Sequence, residues 1–371
     1  MKILHVYKTF LNDSFGGVEQ VIAQLAMDSN AAEFEHTVVS LTKDPASTVS
    51  RAGAIQNIRF KETFNIASNA VSFELLGAFG RIVKEYDIIH YHFPWPFADV
   101  LHMLWRVRKP TVLTYHSDIV RQKRMLFFYQ PLMYQFLKQM THIVATSPNY
   151  MATSDVLKRY ASKTSVIPIG LNKESYTATD VTRETYWRNR FGTRFFLFMG
   201  VMRYYKGLHI LLDALQNTTY PVVLVGAGPT LPELKIHAER LRLTNVHFLG
   251  QVSEEDKMAL LTCCGAVVFP SHLRSEAFGV SLLEGAMFGK ALISSEIGTG
   301  TSYINQNGKT GIVVPPNNPQ ALRHAMSFIW NNPEHSATMG VAAEARYWEL
   351  FTGRQMVSRY HELYQSLVHK N

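Results

Sequence analysis

Cysteine is nearly absent from the sequence, and its two copies stand side by side. Cys263 and Cys264 are the only cysteines in 371 residues. Because neighbouring residues cannot cross-link distant parts of a fold, we expect no structural disulfide and a reducing compartment.

Long hydrophobic runs are missing as well. An apolar run such as Phe195 to Met202 is far shorter than the roughly 18 residues that a membrane-spanning helix needs. The N-terminal stretch MKILHVYKTF is typical of a first strand, since its apolar part is too short for a secretory signal. We therefore expect a protein that is soluble or attached peripherally to a membrane.

Motifs for metal and dinucleotide sites are also absent. The sequence has no His-Glu-x-x-His and no cysteine–histidine quartet, which argues against a zinc site. It has no Asp-x-Asp that could hold a divalent metal on a diphosphate. Gly-x-Gly-x-x-Gly does not follow the first predicted strand of either half, which disfavours a nicotinamide dehydrogenase. We expect neither a metal nor a cofactor.

What the sequence does have is a moderate excess of positive charge. The net charge is +8, of which +5 lies in residues 1–172. Such an excess fits an anionic ligand or an anionic membrane surface. Nucleic acid is not expected as a partner, because no Lys/Arg stripe with interleaved aromatic residues is present.

Short apolar runs alternate with amphipathic stretches in the first half of the chain. Such runs are typical of parallel strands covered on both faces, and the 3.6-residue periodicity between them indicates helices. The predicted strands are Ile3–Tyr7, Thr37–Leu41, Asn57–Phe60, Ile88–His92, Thr111–Tyr115, Ile143–Ser147 and Ser165–Ile169. The predicted helices include Val18–Met27, Glu74–Glu85 and Met125–Lys138.

The pattern restarts after residues 172–194, a polar stretch without clear periodicity that we interpret as the domain boundary. Ser253 and the acids that follow it predict a capped helix start, and two or three helices from Asn318 close the chain. The sequence thus predicts an α/β fold with two doubly wound domains that face each other across a cleft, where ligands bind beyond the carboxyl ends of the strands. The strands predicted for this half are 195–200, 222–226, 246–250, 266–270, 291–295 and 311–315.

Two loops that follow predicted strands could bind an anionic ligand. Gly16 and Gly17 lie between the first strand and a helix, where they form either a tight turn or a phosphate site. Arg203 and Lys206 follow the strand at 195–200 and either hold a diphosphate or belong to a solvated loop.

Three histidines stand in or just after consecutive predicted strands. His116 follows Thr111–Tyr115 and either hydrogen-bonds a substrate hydroxyl or has a structural role. His90 and His92 alternate with Tyr91, so they share one face of their strand. For this pair we favour packing and hydrogen bonding over ligand binding.

The stretch SEAFGVSLLEG (275–285) places two acids eight residues apart. Glu276 precedes a helix that we predict to begin near Phe278 or Gly279, and Glu284 falls about 1.5 turns inside it. A carboxylate can accept hydrogen bonds from a vicinal diol, and free N–H groups at a helix start attract phosphate. The spacing fits a nucleotide sugar as well as it fits a capping acid followed by an exposed glutamate.

This stretch resembles the E-x7-E motif of retaining GT-B glycosyltransferases, specifically glycosyltransferase family 4. Within the family, the sequence is similar to bacterial mannosyltransferases that build O-antigen polysaccharide. The stretches that carry this similarity are YHSDIVRQKR, FPSHLRSEAFG and EIGTGTSYIN. The resemblance implies a GT-B fold with an acceptor-side domain of residues 1–175 plus about 352–371, and a nucleotide-sugar donor domain of residues 176–351. It covers nearly the whole chain and includes GGVE (16–19), YHSD (115–118), VIPIG (166–170), MRYYKG (202–207), GAGP (226–229), FLGQVSEED (248–256), VVFPS (267–271) and TGIVVPP (310–316).

The resemblance implies roles for the residues that would contact the sugars. Glu276 would hold hydroxyls of the donor hexose, with the N–H groups of Phe278 and Gly279 nearby. Glu284 would hold the ribose diol, and His116 would contact the sugar in the transition state. The resemblance further implies front-face attack with the leaving phosphate as base, which retains the anomeric configuration, requires no protein nucleophile and would make catalysis electrostatic.

The resemblance also implies contacts with the rest of the donor. Lys206, with Arg203 beside it, would face the diphosphate, and Gly17 would approach the β-phosphate. The backbone from Gly250 to Val252 would pair with the edge of the base.

Two positions depart from the family pattern. The family's arginine directly follows the glycine of its G-R-x-x-x-x-K-G motif, whereas Val201 holds that position here and Arg203 comes two residues later. The asparagine of the interdomain Pro-Asn-Gly is replaced by Ile169, so its polar contact is missing.

The resemblance implies a retaining α-mannosyltransferase. It would move mannose from GDP-mannose to an undecaprenyl-diphosphate-linked saccharide in O-antigen and lipopolysaccharide synthesis. The alternatives are a UDP-hexose transferase (glucose, galactose or N-acetylglucosamine) on the same scaffold and a non-catalytic nucleotide-sugar-binding paralogue. The presence of Glu276, Glu284 and Lys206 argues against the paralogue.

A basic and aromatic stretch follows His116 closely. Arg121, Lys123 and Arg124 lead into MLFFYQPLMYQFLK (125–138), in which Pro131 is predicted to kink or restart the helix. Positive charge at a helix N-terminus opposes the macrodipole, so it indicates an anionic leaflet or a lipid diphosphate. The alternative is a core-packed helix with a basic start. We expect peripheral binding at the cytoplasmic face of the inner membrane.

Overall fold

The chain forms two compact units. The computed structural model describes residues 1–11, 13, 16–27, 33–52, 55–66, 69–119, 123–176 and 180–368. The first unit comprises Met1–Gly170 and Gly353–Asn371, and the second comprises Leu171–Thr352. The boundaries predicted from the sequence, residue 175 and about residue 352, lie close to these.

The first unit is built on one large sheet with helices between its strands. Within the described residues its strands are β1 (Lys2–Val6), β2 (Glu35–Thr42), β3 (Thr48–Ala52), β4 (Ile55–Lys61), β5 (Phe64–Ile66), β6 (Asn69–Val71), β7 (Ile88–Phe93), β8 (Thr111–Tyr115), β9 (His142–Ala145) and β10 (Thr164–Val166). Its helices up to residue 170 are α1 (Gly17–Met27), α2 (Phe73–Ile82), α3 (Pro96–Trp105), α4 (Lys123–Gln139), α5 (Pro148–Thr153) and α6 (Asp155–Arg159).

The strand order of this sheet is β10-β9-β8-β7-β1-β2-β4-β3. Neighbouring strands are parallel except for β3, which runs antiparallel to β4 at the edge. The doubly wound parallel sheet predicted from the apolar runs is therefore confirmed. The edge strand β3 (TVSRA) and the small antiparallel hairpin of β5 and β6 were not predicted, because neither has an apolar run.

The second unit has the same plan with a smaller sheet. Its strand order is β13-β12-β11-β14-β15-β16, and every neighbouring pair is parallel. The described strands are β11 (Phe196–Met199), β12 (Val222–Val225), β13 (Val246–Gly250), β14 (Ala266–Phe269), β15 (Ala291–Ser295) and β16 (Gly311–Val314). The described helices are α7 (Val181–Phe191), α8 (Leu208–Ala214), α9 (Leu231–Arg240), α10 (Glu254–Cys263), α11 (Val280–Met287), α12 (Thr301–Ile304), α13 (Pro319–Asn331) and α14 (Pro333–Leu350).

Helix α7 lies in the polar stretch that showed no periodicity in the sequence. Its formation depends on tertiary contacts: Trp187 Nε1 donates a hydrogen bond of 3.1 Å to Asp256 Oδ1, and Arg183 forms an ion pair of 3.0 Å with the same carboxylate. Ser253 caps α10 as predicted, since its Oγ accepts a hydrogen bond of 3.1 Å from the Asp256 N–H. One short acidic segment thus both starts a helix and anchors its neighbour.

The last helix, α15 (Gly353–Val368), belongs to the first unit. The hydroxyl of Tyr364 lies 2.7 Å from His90 Nδ1, and the hydroxyl of Tyr360 lies 2.7 Å from Thr114 Oγ1. These buried contacts fix the helix on strands β7 and β8. None of the helices in the described ranges combines the length and the apolar character needed to cross a membrane.

Candidate active site

Loops at the carboxyl ends of β11 and β14 form the centre of the site in the second unit. Gly207 has a positive φ of 70°, and a Cβ at this position would collide with the carbonyl oxygen of Pro270. Only glycine lets the two loops approach so closely. The approach brings the residue before Gly207 against the loop that carries Glu276.

Lys206 and Glu276 form an ion pair between these loops. Nζ of Lys206 contacts Oε2 of Glu276, and the two side chains are only 11% and 10% exposed. Ser271 Oγ donates a hydrogen bond of 3.4 Å to the same carboxylate oxygen, and Nζ lies 4.6 Å from the centre of the Phe269 ring. Because water is largely excluded here, charges act strongly on a bound ligand. Sequence reasoning selected both residues but did not pair them.

The helix that follows Glu276 begins where it was predicted. Gly279 is the N-cap of α11 with φ of 99°, and among the described residues no side chain caps this helix start. The backbone N–H groups of its first turn therefore remain available to an anionic or hydroxyl-bearing ligand. Phe278, just before the N-cap, is buried.

Glu284 lies inside α11 and is held by two partners that the sequence did not indicate. Lys257 Nζ lies 2.7 Å and the Tyr176 hydroxyl lies 2.9 Å from its Oε1. Burial alone would lower the pKa of Lys257, but the carboxylates of Glu284 and Glu254 outweigh it and raise the pKa above its usual value. Burial and Glu284 together raise the pKa of Tyr176. Glu284 is thus oriented by one cation and one hydroxyl, both on its Oε1.

Arg203 is placed differently from Lys206. Its exposed side chain lines a cavity of about 280 Å³ together with Tyr204, His209, His237 and other residues of α8 and α9. Among the described residues, the lining of this cavity includes neither Lys206 nor Glu276. Val201 holds the position of the family's arginine in this sequence. Arg203, two residues later, lines a cavity that the described residues Lys206 and Glu276 do not line.

The proposed base-binding segment lies at the carboxyl end of β13. Gly250 has φ of 71°, and its carbonyl accepts a hydrogen bond of 2.7 Å from the Gly226 N–H. This bond ties the end of β13 to the loop after β12. Val252 is half-buried two residues further on.

Two candidate residues lie at the carboxyl edge of the first unit's sheet. Gly17 is the first residue of α1 and follows the loop after β1. His116 directly follows β8 and is only 7% exposed. Its Nε2 lies 3.0 Å from His92 Nδ1, and burial lowers the pKa of His116 to about 3. His116 is therefore a neutral imidazole near pH 7.

Hydrogen bonding of the paired histidines in β7 was predicted and is confirmed. His90 Nε2 lies 2.7 Å from Thr114 Oγ1, and His92 contacts His5 as well as His116. The contact with His5 was missed because the two residues are 87 positions apart in the sequence.

The basic and aromatic stretch is only partly described. Arg121 lies outside the described residues, and the side chains of Lys123 and Arg124, in the first turn of α4, do so as well. Phe127 and Phe128 are 72% and 80% exposed.

The remainder of α4 packs into the first unit. Phe136 is buried, and the hydroxyl of Tyr129 donates a hydrogen bond to the buried Asp99. The helix does not restart at Pro131 but continues through it. The carbonyl of Phe127, which loses its helical partner to the proline, belongs to a residue that water can reach.

Comparisons with known proteins match both units. The model of "Glycosyltransferase Family 4" matches residues 15–175, and that of "Glycosyl transferases group 1" matches residues 187–346. D-rhamnosyltransferase WbpZ of Pseudomonas aeruginosa is 54% identical over 95% of this chain and 92% of its own length. The O-antigen chain mannosyltransferase C of Escherichia coli is 48% identical over 99% of each chain.

The chain belongs to glycosyltransferase family 4. Its fold is GT-B, with two Rossmann-like units, as predicted. The sucrose-phosphate synthase of Thermosynechococcus elongatus matches it with a TM-score of 0.82 and 20% identity over the whole of both chains. HepE of Anabaena in complex with UDP-glucose matches with a TM-score of 0.78 and 21% identity over 99% of this chain and all of that chain. The glycosyltransferase thus carries its buried Lys206–Glu276 pair on a fold shared with other enzymes.

Proposed function

We propose that this glycosyltransferase moves mannose from GDP-mannose to a lipid-linked saccharide during O-antigen synthesis, with retention of configuration. The observation that carries the proposal is the water-excluded Lys206–Glu276 pair beside the uncapped start of α11. The choice of mannose is supported by the 48% identical relative, whose name is O-antigen chain mannosyltransferase C. The name of the 54% identical relative specifies D-rhamnose, which is mannose without its 6-hydroxyl.

The Lys206–Glu276 pair suits the two parts of the donor that separate in the reaction, the nucleoside diphosphate and the sugar. Glu276 accepts hydrogen bonds from hexose hydroxyls through its carboxylate. Lys206 and the N–H groups from Gly279 onward stabilise negative charge on the leaving phosphate. The acceptor hydroxyl attacks the anomeric carbon from the side of the leaving group, the bond to phosphate breaks, and the departing phosphate oxygen takes the hydroxyl proton. Each protein group therefore binds or stabilises charge, and none becomes covalently attached.

Glu284 is assigned to the ribose diol. Its Oε1 is occupied by Lys257 and Tyr176, so Oε2 is the oxygen assigned to the ribose hydroxyls. The backbone from Gly250 to Val252 is assigned to the base.

The remaining candidate residues are Gly17 and His116 in the first unit and Arg203 in the second. In the first unit, Gly17 is assigned to a phosphate contact and His116 to a contact with the sugar. We leave Arg203 out of the donor contacts, because the cavity that its side chain lines is lined, among the described residues, by neither Lys206 nor Glu276.

A donor panel tests the substrate. With a lipid-diphosphate saccharide as acceptor, we expect GDP-mannose to give the highest kcat/KM among GDP-mannose, GDP-D-rhamnose and the UDP-hexoses, measured by mass spectrometry. Preference for GDP-D-rhamnose would replace the sugar in the proposal. Preference for a UDP-hexose would overturn the assignment of the base.

Activity is expected to survive removal of divalent metal ions. Lys206 and the helix start supply the positive charge that a metal provides in enzymes with Asp-x-Asp, a motif that this sequence lacks. Initial rates in excess EDTA should equal those without it. A complete loss of activity that magnesium or manganese restores would contradict this expectation.

We further propose that the first unit binds an anionic membrane at the cytoplasmic face. Phe127 and Phe128 of α4 are exposed, and the basic residues Arg121, Lys123 and Arg124 precede them in the sequence. Each basic residue near an anionic leaflet contributes about 1 kcal/mol. Exposed aromatic rings add apolar area that can enter the headgroup region.

Vesicle binding tests this surface with matched variants. Replacing Arg121, Lys123 and Arg124 by serine is expected to weaken binding to phosphatidylglycerol vesicles by more than about tenfold at low salt. Phe128→Ser should also weaken binding, whereas Phe73→Ser, which removes a ring that is 62% exposed on α2, should not. Equal binding by the triple variant and the wild type would remove the proposal and leave this stretch as part of the packed unit.

A further inference from the structure

Four histidines in the first unit are joined end to end across its sheet. His36 Nδ1 lies 2.8 Å from His5 Nε2, and His5 Nδ1 lies 3.0 Å from His92 Nε2. His92 Nδ1 in turn lies 3.0 Å from His116 Nε2. The residues come from the adjacent strands β2, β1 and β7 and from the end of β8. We call these four residues the histidine chain.

The rings of the histidine chain are bonded edge to edge. The ring centres of successive members are 5.1, 5.3 and 5.3 Å apart, and successive planes differ by 22°, 27° and 22°. Each centre-to-centre separation exceeds the matching nitrogen–nitrogen distance by about the width of one ring, as it must in an end-to-end arrangement. His90 differs: it lies over His92 with ring centres 4.3 Å apart and bonds to hydroxyl groups instead.

All four rings are buried and neutral. Burial lowers the pKa of His36 and of His116 to about 3. Burial, together with the neighbouring histidines, also holds the pKa of His5 and of His92 well below 6.5. Near pH 7 each ring therefore carries a single N–H.

A chain of neutral imidazoles has only two complete hydrogen-bonding arrangements. A neutral ring donates from one nitrogen and accepts at the other. Because every link joins Nδ1 to Nε2, the rings must either all carry their hydrogen on Nδ1 or all carry it on Nε2. A mixed set would place two N–H groups or two lone pairs against each other in a buried site, which is costly. The tautomer of His116 is therefore tied to that of His36, three links away.

The histidine chain ends at Nδ1 of His116. Within the part of the chain that the structure describes, Nδ1 of His116 has no hydrogen-bond partner. In one arrangement this nitrogen presents an N–H donor, and in the other it presents a lone pair. The direction of the chain thus decides which ligand atom His116 can bind.

We propose that His5, His36 and His92 are positioning residues that fix the tautomer of His116. They act through hydrogen bonds only and do not contact the substrate. The effect on catalysis rests on the proposed function, in which His116 contacts the sugar. The coupling of the tautomers does not depend on it.

A metal ion offers another use for part of this cluster. Nitrogen atoms of His5, His90 and His92 lie within 4.8 Å of one another. However, both nitrogens of each ring already have hydrogen-bond partners, so a metal would have to break several buried bonds. The complete set of partners favours the hydrogen-bonded chain.

Histidine ¹⁵N NMR on the full-length wild type tests the coupling directly. Long-range ¹H–¹⁵N correlations distinguish the two neutral tautomers and the imidazolium form. We expect His5, His36, His92 and His116 to be neutral and to share one tautomer at pH 7. Different tautomers within this set, a protonated member, or stoichiometric bound metal in the purified protein would overturn the proposal.

Breaking the chain two links from His116 tests its effect on catalysis. His5→Phe removes both links of His5 and is expected to change or average the tautomer of His116. The kcat should fall roughly 10- to 100-fold while the donor KM stays nearly constant, as is usual when a residue that orients a functional group is lost.

A matched variant separates this effect from loss of buried polar contacts in general. His102 is also buried and lies 3.1 Å from the Tyr91 hydroxyl and 3.2 Å from Gln139 Oε1, outside the histidine chain. His102→Phe is expected to leave the His116 tautomer and kcat unchanged. His5→Gln, which retains a donor and an acceptor, replaces His5→Phe in this test if His5→Phe does not fold. It should also alter the ¹⁵N NMR signal of His116.

The outcomes distinguish the inference from the proposed function. If the four rings share a tautomer but His5→Phe and His5→Gln keep wild-type kcat, the positioning role is wrong. If no nucleotide sugar is turned over by the wild type, the proposed function fails, while the NMR result still decides the coupling.

Discussion

Glu276→Gln is expected to lower kcat by roughly 10²- to 10³-fold. The carboxylate accepts hydrogen bonds from the donor hexose and balances the buried Lys206 ammonium, and an amide does neither equally well. Glu276→Ala should abolish measurable transfer. The measurement is kcat with a saturating donor and a short soluble acceptor.

The control for this prediction is Glu239→Gln, which makes the same change on the exposed face of α9 in the same unit. Both variants should retain the wild-type circular dichroism spectrum. Wild-type turnover in Glu276→Gln or Glu276→Ala would remove the main assignment of the site.

Lys206→Met is expected to lower kcat by a similar factor. It removes the positive charge assigned to the leaving diphosphate but keeps the aliphatic stem over Phe269. We expect kcat to fall roughly 10²- to 10³-fold and the affinity for the nucleoside diphosphate to fall as well. The measurements are steady-state kinetics and calorimetric titration with GDP.

A double-mutant cycle tests whether the two residues act as a unit. Lys206→Met leaves the Glu276 carboxylate buried without a counter-charge, so it should lower the melting temperature more than the double variant with Glu276→Gln does. The losses in kcat should also be less than additive. Additive effects on both quantities would mean that the ion pair has no role of its own.

The apolar strands and the helix starts could be predicted from the sequence. Strands such as β8 and β15 were predicted to the residue, because strands covered on both faces form short runs of mostly apolar and β-branched residues. The start of α11 was predicted near Phe278 or Gly279, and the structure has Gly279 as its N-cap with a positive φ that glycine tolerates. The edge strand β3 was missed because it has no apolar run, and α7 was missed because Asp256, which holds it, lies about 70 residues away in the sequence.

The individual candidate residues could be selected from the sequence, but their partners could not. The residues Lys206 and Glu276 are 70 positions apart, and Tyr176 and Glu284 are 108 apart. No local spacing signals such contacts, since they depend on which strands are neighbours in a sheet. The histidine chain could not be predicted for the same reason. The alternation of His90 and His92 in the sequence indicated only that both lie on one face of their strand.

The anomeric configuration of the product tests the central claim most directly. GDP-mannose is an α-linked donor, and the wild-type enzyme should transfer its mannose to the lipid-diphosphate acceptor to give an α-mannoside, identified by NMR from the one-bond carbon–proton coupling at the anomeric carbon. This result requires only groups that bind and stabilise charge, as the Lys206–Glu276 pair and the start of α11 do. A β-linked product would contradict retention and the roles assigned to these residues.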